Sequence, residues 1–194
     1  MQLIGLLLFA LLWIFVVYIF NCILTKSFCK IDIKIAILYI STVAFIGLIG
    51  ETFVGSIYNC LFGLPLWQYQ ALPIHNGHTS YYAPIIWGVY GFYLYLLHDH
   101  LVSKKGYSDN KLMVIFSVEA MVIEALVNIS FLLIFGHYLY FYSPNDLWHF
   151  TSIQTFPFYF IAGFLITRTI KRFKQDPVFF SFMCIAISIT ILIL

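Results

Sequence analysis

Residues 3–24 read LIGLLLFALLWIFVVYIFNCIL, an apolar run without a charged side chain. A helix needs about 20 such residues to cross the hydrocarbon core of a bilayer. The run lacks the basic start of a secretory signal, so we interpret it as a retained span. Lys26, Lys30 and Lys34 follow it. Because basic residues collect on the cytoplasmic side of spanning helices, we expect its C-terminal end inside and the N-terminus outside.

The other basic residues form two further short groups, and the long stretches between the groups contain neither Lys nor Arg. These groups are Lys104, Lys105 and Lys111, then Arg168, Lys171, Arg172 and Lys174. The apolar runs between them are continuous, which favours helices over a barrel. The sequence therefore predicts an all-α, multi-pass protein of the cell membrane with both termini extracytoplasmic. It predicts one transmembrane domain over residues 1–194, with spans at about 3–24, 35–62, 83–101, 112–135, 157–173 and 178–194.

The composition agrees with a lipid environment. Hydrophobic residues make up 62% of the chain and charged residues 9%, whereas soluble domains carry about 25% charged residues. Membrane lipids are the expected partners, since anionic headgroups attract each basic side chain near the surface by about 1 kcal/mol. The sequence shows no recognition motif for nucleic acid. Its four cysteines include no CxxC pair, so we expect no disulfide framework. We also predict no cofactor.

Two connections between the predicted spans are long, rich in aromatic residues and free of Lys and Arg. We call residues 63–82 cap 1 and residues 136–156 cap 2. Backbone at membrane depth must be buried in protein or line a wet cavity. We therefore expect both caps to fold back over the helices on the extracytoplasmic side.

The two caps and their flanking helices match at a fixed offset of 73 residues. The matched pairs are Glu51 with Glu124, Val54 with Val127, Phe62 with Phe135, Gly63 with Gly136, Leu66 with Leu139, Tyr69 with Tyr142, and Pro84 with Pro157. We interpret this pattern as a duplicated helix–loop–helix unit. An even number of spans per unit gives both copies the same direction, related by an axis along the membrane normal.

Glu51 and Glu124 lie near the middle of the second and fourth predicted spans. A charged side chain there costs about 2.5–3.5 kcal/mol on insertion scales, so it normally faces the protein interior and is functional. Asn128 shares a helix face with Glu124. The two carboxylates could share a proton, bind a cation or act as an acid/base pair. Alternatively, each glutamate is protonated and only hydrogen-bonds a neighbouring helix.

The caps supply further candidate residues. His75 and His149 are the candidate acid/base partners of Glu51 and Glu124. The candidate ligand-binding residues are Trp67, Tyr69, Asn76, His78, Asn128, Asp146 and Trp148. A zinc site built from His75, His78, Asp146 and His149 is an alternative, but the spacing matches no standard signature, so we predict no metal. The aromatic residues form either an interfacial belt or a pocket for a lipid-like or prenyl-like ligand.

One region resembles a known family. The matching elements within residues 51–91 are Glu51, the segment Gly63-Leu64-Pro65-Leu66-Trp67, Tyr69, Pro73, Gly77 and Trp87-Gly88. They resemble the signature of the CmpB-like type IV ABC-transporter membrane family. That family has Trp-Asp-Tyr-Ser where this chain has Trp67-Gln68-Tyr69-Gln70, and its Pro-to-Gly interval is one residue longer. The resemblance implies a bacterial multi-span protein in a transport context and gives no substrate or catalytic residue.

The favoured hypothesis is a permease-like or ligand-binding component. Its site would lie between the two helical repeats and open to the extracytoplasmic face. The chain has no GxxxxGK[ST] phosphate loop, so any ATPase would be a separate subunit. The alternatives are a membrane-embedded transferase or hydrolase acting on a lipid or isoprenoid, and a structural membrane subunit.

Overall fold

The computed structural model describes residues 2–98 and 106–194, and the described chain is mostly helical. Its six α-helices are α1 (Gln2–Thr25), α2 (Ile33–Phe62), α3 (Ala83–His98), α4 (Asp109–Phe135), α5 (Phe156–Phe173) and α6 (Pro177–Ile193). Its four short strands are β1 (Trp67–Tyr69), β2 (Pro73–Ile74), β3 (Thr79–Ser80) and β4 (Tyr140–Tyr142). The helices occupy the six predicted apolar runs. The predicted end of the third span, at residue 101, lies outside the described residues.

Three helices of the described chain are long and apolar enough to cross a membrane. They cover Leu3–Thr25, Ile33–Phe62 and Asn110–Phe135. Large apolar side chains along α1, including Leu3, Leu11 and Phe15, are exposed, as expected for helices that face lipid. A multi-pass membrane protein with a mostly helical fold is therefore indicated, as the composition predicted.

Both α2 and α4 end in the same way. Gly63 follows α2 with φ +68° and Gly136 follows α4 with φ +77°. Their N–H groups donate to the carbonyls of Asn59 and Leu132, at 2.9 Å each. A left-handed glycine just past the last helical turn is a common helix ending. A Cβ added at either glycine would meet nothing within 4 Å, so the backbone conformation, not lack of space, favours glycine here.

The two caps are joined by a short antiparallel ribbon of β1 and β4. Its register pairs Trp67 with Tyr142, Gln68 with Phe141, and Tyr69 with Tyr140. Just beyond the strands, the Gln70 N–H donates to the Leu139 carbonyl and the Ser143 N–H to the Leu66 carbonyl, both at 2.9 Å. These strands were not predicted from the sequence. Aromatic residues favour β-structure, but three-residue segments are too short to show an alternating pattern.

The chain divides into two compact units. Unit 1 consists of Met1–Phe45, Pro84–Ser108 and Arg168–Leu194, and unit 2 of Ile46–Ala83 and Asp109–Thr167. Unit 2 contains both caps, the ribbon, Glu51 and Glu124. Every contact of the candidate site described below therefore lies within one unit.

Within unit 1, α2 and α3 approach closely at Gly91. A Cβ added at Gly91 would lie 2.7 Å from the Tyr39 carbonyl oxygen and 2.9 Å from Ile40 Cα. Both neighbours are backbone atoms of α2, which cannot move aside as a flexible side chain could. Small residues that permit such approach are common where membrane helices pack together.

We expect Gly91→Ala to destabilise the protein by about 1–3 kcal/mol, the usual cost of overpacking. Gly50→Ala is the matched control, because an added Cβ there meets nothing within 4 Å. Alanine is also the better helix former by about 1 kcal/mol. Thermal unfolding of the detergent-purified variants measures both effects. Equal unfolding temperatures for the two variants would contradict the close packing of α2 and α3.

Candidate functional site

Glu51 fastens cap 1 to α2. The carboxylate is 8% exposed. Its Oε1 accepts a hydrogen bond from the Tyr69 hydroxyl at 2.5 Å, and its Oε2 accepts one from Thr79 Oγ1 at 2.6 Å. Hydroxyl donors at such distances from a carboxylate make strong hydrogen bonds. We call Glu51, Tyr69 and Thr79 latch 1.

Glu124 fastens cap 2 to α4 in the same way. Its Oε1 accepts from the Tyr142 hydroxyl and its Oε2 from Thr151 Oγ1, both at 2.6 Å. Tyr159 of α5 is a further hydrogen-bond partner of this side chain. The Tyr140 hydroxyl donates to the Glu124 backbone carbonyl at 2.8 Å. We call Glu124, Tyr142 and Thr151 latch 2.

Five of these residues, Thr79, Tyr140, Tyr142, Thr151 and Tyr159, were not among the predicted site residues. The offset of 73 pairs Tyr142 with Tyr69, so that signal was present in the sequence. The threonines are harder to find, because the segments Thr79-Ser80 and Thr151-Ser152 are 72 residues apart. The interval from Tyr142 to Thr151 in cap 2 is thus one residue shorter than the interval from Tyr69 to Thr79 in cap 1. A fixed offset of 73 therefore does not align the two threonines.

The aromatic rings of the ribbon surround the latches. Tyr69 and Tyr140 meet edge to face at 5.5 Å, and Trp67 lies 5.9 Å from Tyr142. Burial raises the pKa of Tyr69, Tyr140 and Tyr142 well above its ordinary value, and the neighbouring glutamates raise it further. These phenols therefore keep their protons at physiological pH, so Tyr69 and Tyr142 serve their carboxylates as permanent donors rather than as bases.

His78 is buried against α2. A Cβ added at Gly55 would lie 2.8 Å from His78 Cβ and 3.0 Å from His78 Nδ1. The side chain is 5% exposed, and Nδ1 is buried without a hydrogen-bond partner. Trp67 Nε1 donates to the His78 backbone carbonyl at 2.8 Å. Burial, together with the nearby His75, lowers the pKa of His78, so the ring is neutral at pH 7.

Asn128 is occupied by the backbone of cap 2. Its Nδ2 donates to the carbonyls of Tyr140 at 2.7 Å and Phe150 at 3.2 Å, and its Oδ1 accepts from the Leu139 N–H at 3.0 Å. Its side chain is fully buried. These bonds indicate that Asn128 holds the cap in place, which leaves little of its amide for a ligand.

His149 and Asp146, both predicted as site residues, stabilise the shape of cap 2. His149 Nδ1 lies 2.6 Å from the Tyr142 carbonyl. A carbonyl can only accept, so Nδ1 carries the proton. The ring also stacks on Phe141 at 4.2 Å. Asp146 Oδ2 accepts from Ser152 Oγ and from the Ile153 N–H, each at 2.9 Å.

Each cap contains two successive residues with left-handed backbone. They are His75 (φ +51°) and Asn76 (φ +59°) in cap 1, and Trp148 (φ +51°) and His149 (φ +65°) in cap 2. Asparagine adopts this conformation readily, whereas a bulky residue such as Trp148 does so rarely. Trp148 is also 75% exposed. The strained turn therefore presents a tryptophan ring outward from cap 2.

The predicted metal alternative receives no support from the geometry. Among residues 2–98 and 106–194, no group of three or more His, Cys, Asp or Glu side chains is placed to hold a metal ion. Of the four candidate ligands, His149 and Asp146 are bonded within cap 2, and His78 is buried against Gly55.

Comparison of the chain with protein-family models, with curated proteins and with solved structures found no match. The description of the site therefore depends on its own geometry, and the family resemblance stays a prediction.

Removing one latch hydroxyl should destabilise the protein. Tyr69→Phe and Tyr142→Phe each delete a buried hydrogen bond to a carboxylate, which is worth about 1.5–3 kcal/mol. Tyr58→Phe is the control, since the Tyr58 hydroxyl bonds Gln154 Oε1 at an exposed position. Thermal unfolding in detergent measures the three variants. If Tyr58→Phe is as destabilising as the latch variants, the latches hold the caps no more firmly than a surface bond.

Proposed function

We propose that this chain is a permease-like membrane component that binds a ligand beneath the two caps. The observation that carries the proposal is that two glutamates in membrane-crossing helices each hold a cap through one tyrosine and one threonine. Carboxylates at this depth are costly and normally functional. Because each carboxylate is bonded to its cap, a ligand that competes for its oxygens would also release that cap.

The proposal includes six spans, with both termini and both caps extracytoplasmic. Besides the three long helices, α3 and α6 are shorter apolar helices, and α5 carries its basic residues in its last turns. Three groups of basic residues at alternate connections support this topology through the positive-inside rule.

A duplicated helix–loop–helix unit is part of the same proposal. In the ribbon, Gln68 pairs with Phe141, its own equivalent at the offset of 73. Two hydrogen bonds flank the ribbon, from the Gln70 N–H to the Leu139 carbonyl and from the Ser143 N–H to the Leu66 carbonyl. Their donors are 73 residues apart and so are their acceptors, so each bond is the equivalent of the other. The left-handed Gly63 and the left-handed pair His75-Asn76 recur at this spacing as Gly136 and Trp148-His149, whereas Leu72 and Gly77 have no left-handed counterpart. A twofold axis through the centre of the ribbon accounts for all of these correspondences.

The charges of unit 2 restrict the class of ligand. Lys111 is its one Lys or Arg residue. It precedes Glu124 by thirteen residues on α4, which is about 20 Å along a helix. The caps therefore offer carboxylate oxygens, phenols and aromatic faces but no fixed positive charge. A cationic ligand, or a neutral lipid that carries hydroxyl groups, suits this surface, whereas an anion does not.

A structural subunit is the second candidate. It is favoured by the fact that both oxygens of each carboxylate already accept hydrogen bonds from a cap. In that case the glutamates fix the caps and exchange nothing with a ligand.

Glu51→Gln and Glu124→Gln separate the two candidates. Glutamine keeps the shape and can still hydrogen-bond both hydroxyls, but it carries no charge and cannot titrate. We expect the double variant to remain folded and to lose the small molecules or selected lipids that co-purify with the wild type. Native mass spectrometry of the detergent-purified protein detects them.

Glu119→Gln is the matched control for this experiment. Glu119 lies on α4 about 140° around the helix from Glu124, so the substitution should leave the bound molecules unchanged. An identical set of bound molecules in the wild type and the double variant would contradict the proposal and favour the structural subunit.

A further inference from the structure

The two latches differ in what lies one helical turn beyond each glutamate. On α4 this position is Asn128, whose Nδ2 donates to the carbonyl of Phe150, directly before Thr151. On α2 it is Gly55, and the His78 ring, directly before Thr79, fills the space beside it. A side-chain amide thus fixes the backbone next to latch 2, whereas a buried imidazole occupies the corresponding place next to latch 1.

The surroundings of His78 suit only its neutral form. The ring is 5% exposed, and its Nδ1 has no hydrogen-bond partner. On either side of the contact at Gly55, α2 carries Glu51 and Tyr58, while β1 carries Tyr69 and the cap itself carries His75. Glu51 already accepts from Tyr69 and Thr79, and His75 opposes a second positive charge. Burying a charged imidazolium without a bonded partner is strongly unfavourable.

We propose that His78 is a proton-binding site that opens latch 1. A proton from water converts the imidazole to an imidazolium, which leaves the apolar contact with Gly55 to become hydrated. Since Thr79 is the next residue, this movement pulls Thr79 Oγ1 away from Glu51 Oε2. It also breaks the bond from Trp67 Nε1 to the His78 carbonyl. Glu51 then becomes accessible from the cap side.

Latch 2 has no histidine at the position equivalent to His78. Phe150 stands where cap 1 has His78 and cannot take up a proton, and Asn128 holds its carbonyl. The opening of cap 1 on acidification should therefore depend on His78, and no equivalent residue provides this route in cap 2. This inference concerns the caps alone and does not depend on the ligand-binding role proposed above.

The direction of the pH effect follows from the burial of His78. Its pKa in the folded protein is below the ordinary value, so the folded state takes up fewer protons than the open state. The stabilising effect of the closed cap is complete above the ordinary histidine pKa of about 6.5 and is lost as the pH falls below it.

Amide hydrogen exchange of the intact, detergent-purified protein tests the proposal. Exchange is measured at about pH 7.5 and about pH 5, on either side of the ordinary histidine pKa, and corrected for the intrinsic pH dependence. We expect protection in residues 74–82 of cap 1 to fall by about tenfold or more at the lower pH, as in local opening. Residues 146–155 of cap 2, which have Phe150 in place of His78, are measured in parallel for comparison.

Two variants test whether the loss of protection in cap 1 at low pH requires His78. His78→Phe copies cap 2, and His78→Gln is a polar alternative in case phenylalanine disturbs folding. Both should abolish the pH response of cap 1, whereas His75→Gln should retain it. No change in cap 1 of the wild type, or a response of cap 1 that survives in His78→Gln, would overturn the proposal.

Discussion

A carboxylate in the middle of a membrane-crossing helix must receive hydrogen-bond donors, because the bilayer interior offers none. A straight helix cannot supply them from its own backbone, so the chain must turn back and bring hydroxyl groups to the glutamate. Gly63 and Gly136 provide that turn at the helix ends. Tyr69 with Thr79, and Tyr142 with Thr151, then provide the donors. The shape of each cap follows from this requirement.

The ribbon of β1 and β4 joins the two caps. It places the two latch tyrosines on paired strands and surrounds them with rings that exclude water. Exclusion of water strengthens each hydroxyl–carboxylate bond, because the local dielectric constant is low. The same exclusion makes an unpartnered group such as His78 Nδ1 costly, and the proposed opening of cap 1 on protonation of His78 depends on that cost.

Much of the fold could be predicted from the sequence, but less of the site. Apolar runs located the helices, and the rarity of acids within them pointed to Glu51 and Glu124. The offset of 73 related Tyr69 to Tyr142, yet the one-residue difference between the caps concealed Thr79 and Thr151. The burial of His78 against Gly55 depends on a tertiary contact that no local pattern records. Gly55 leaves the space that the histidine of cap 1 occupies.

Each glutamate holds its own cap: Glu51 holds cap 1 and Glu124 holds cap 2. Thr79→Val and Thr151→Val test it directly, since valine keeps the shape of threonine and removes the hydroxyl. Hydrogen exchange at neutral pH should show cap 1 alone losing protection in Thr79→Val and cap 2 alone in Thr151→Val. The expected loss corresponds to about 1.5–3 kcal/mol for a buried bond to a charged group. Unchanged protection in both variants would contradict the account.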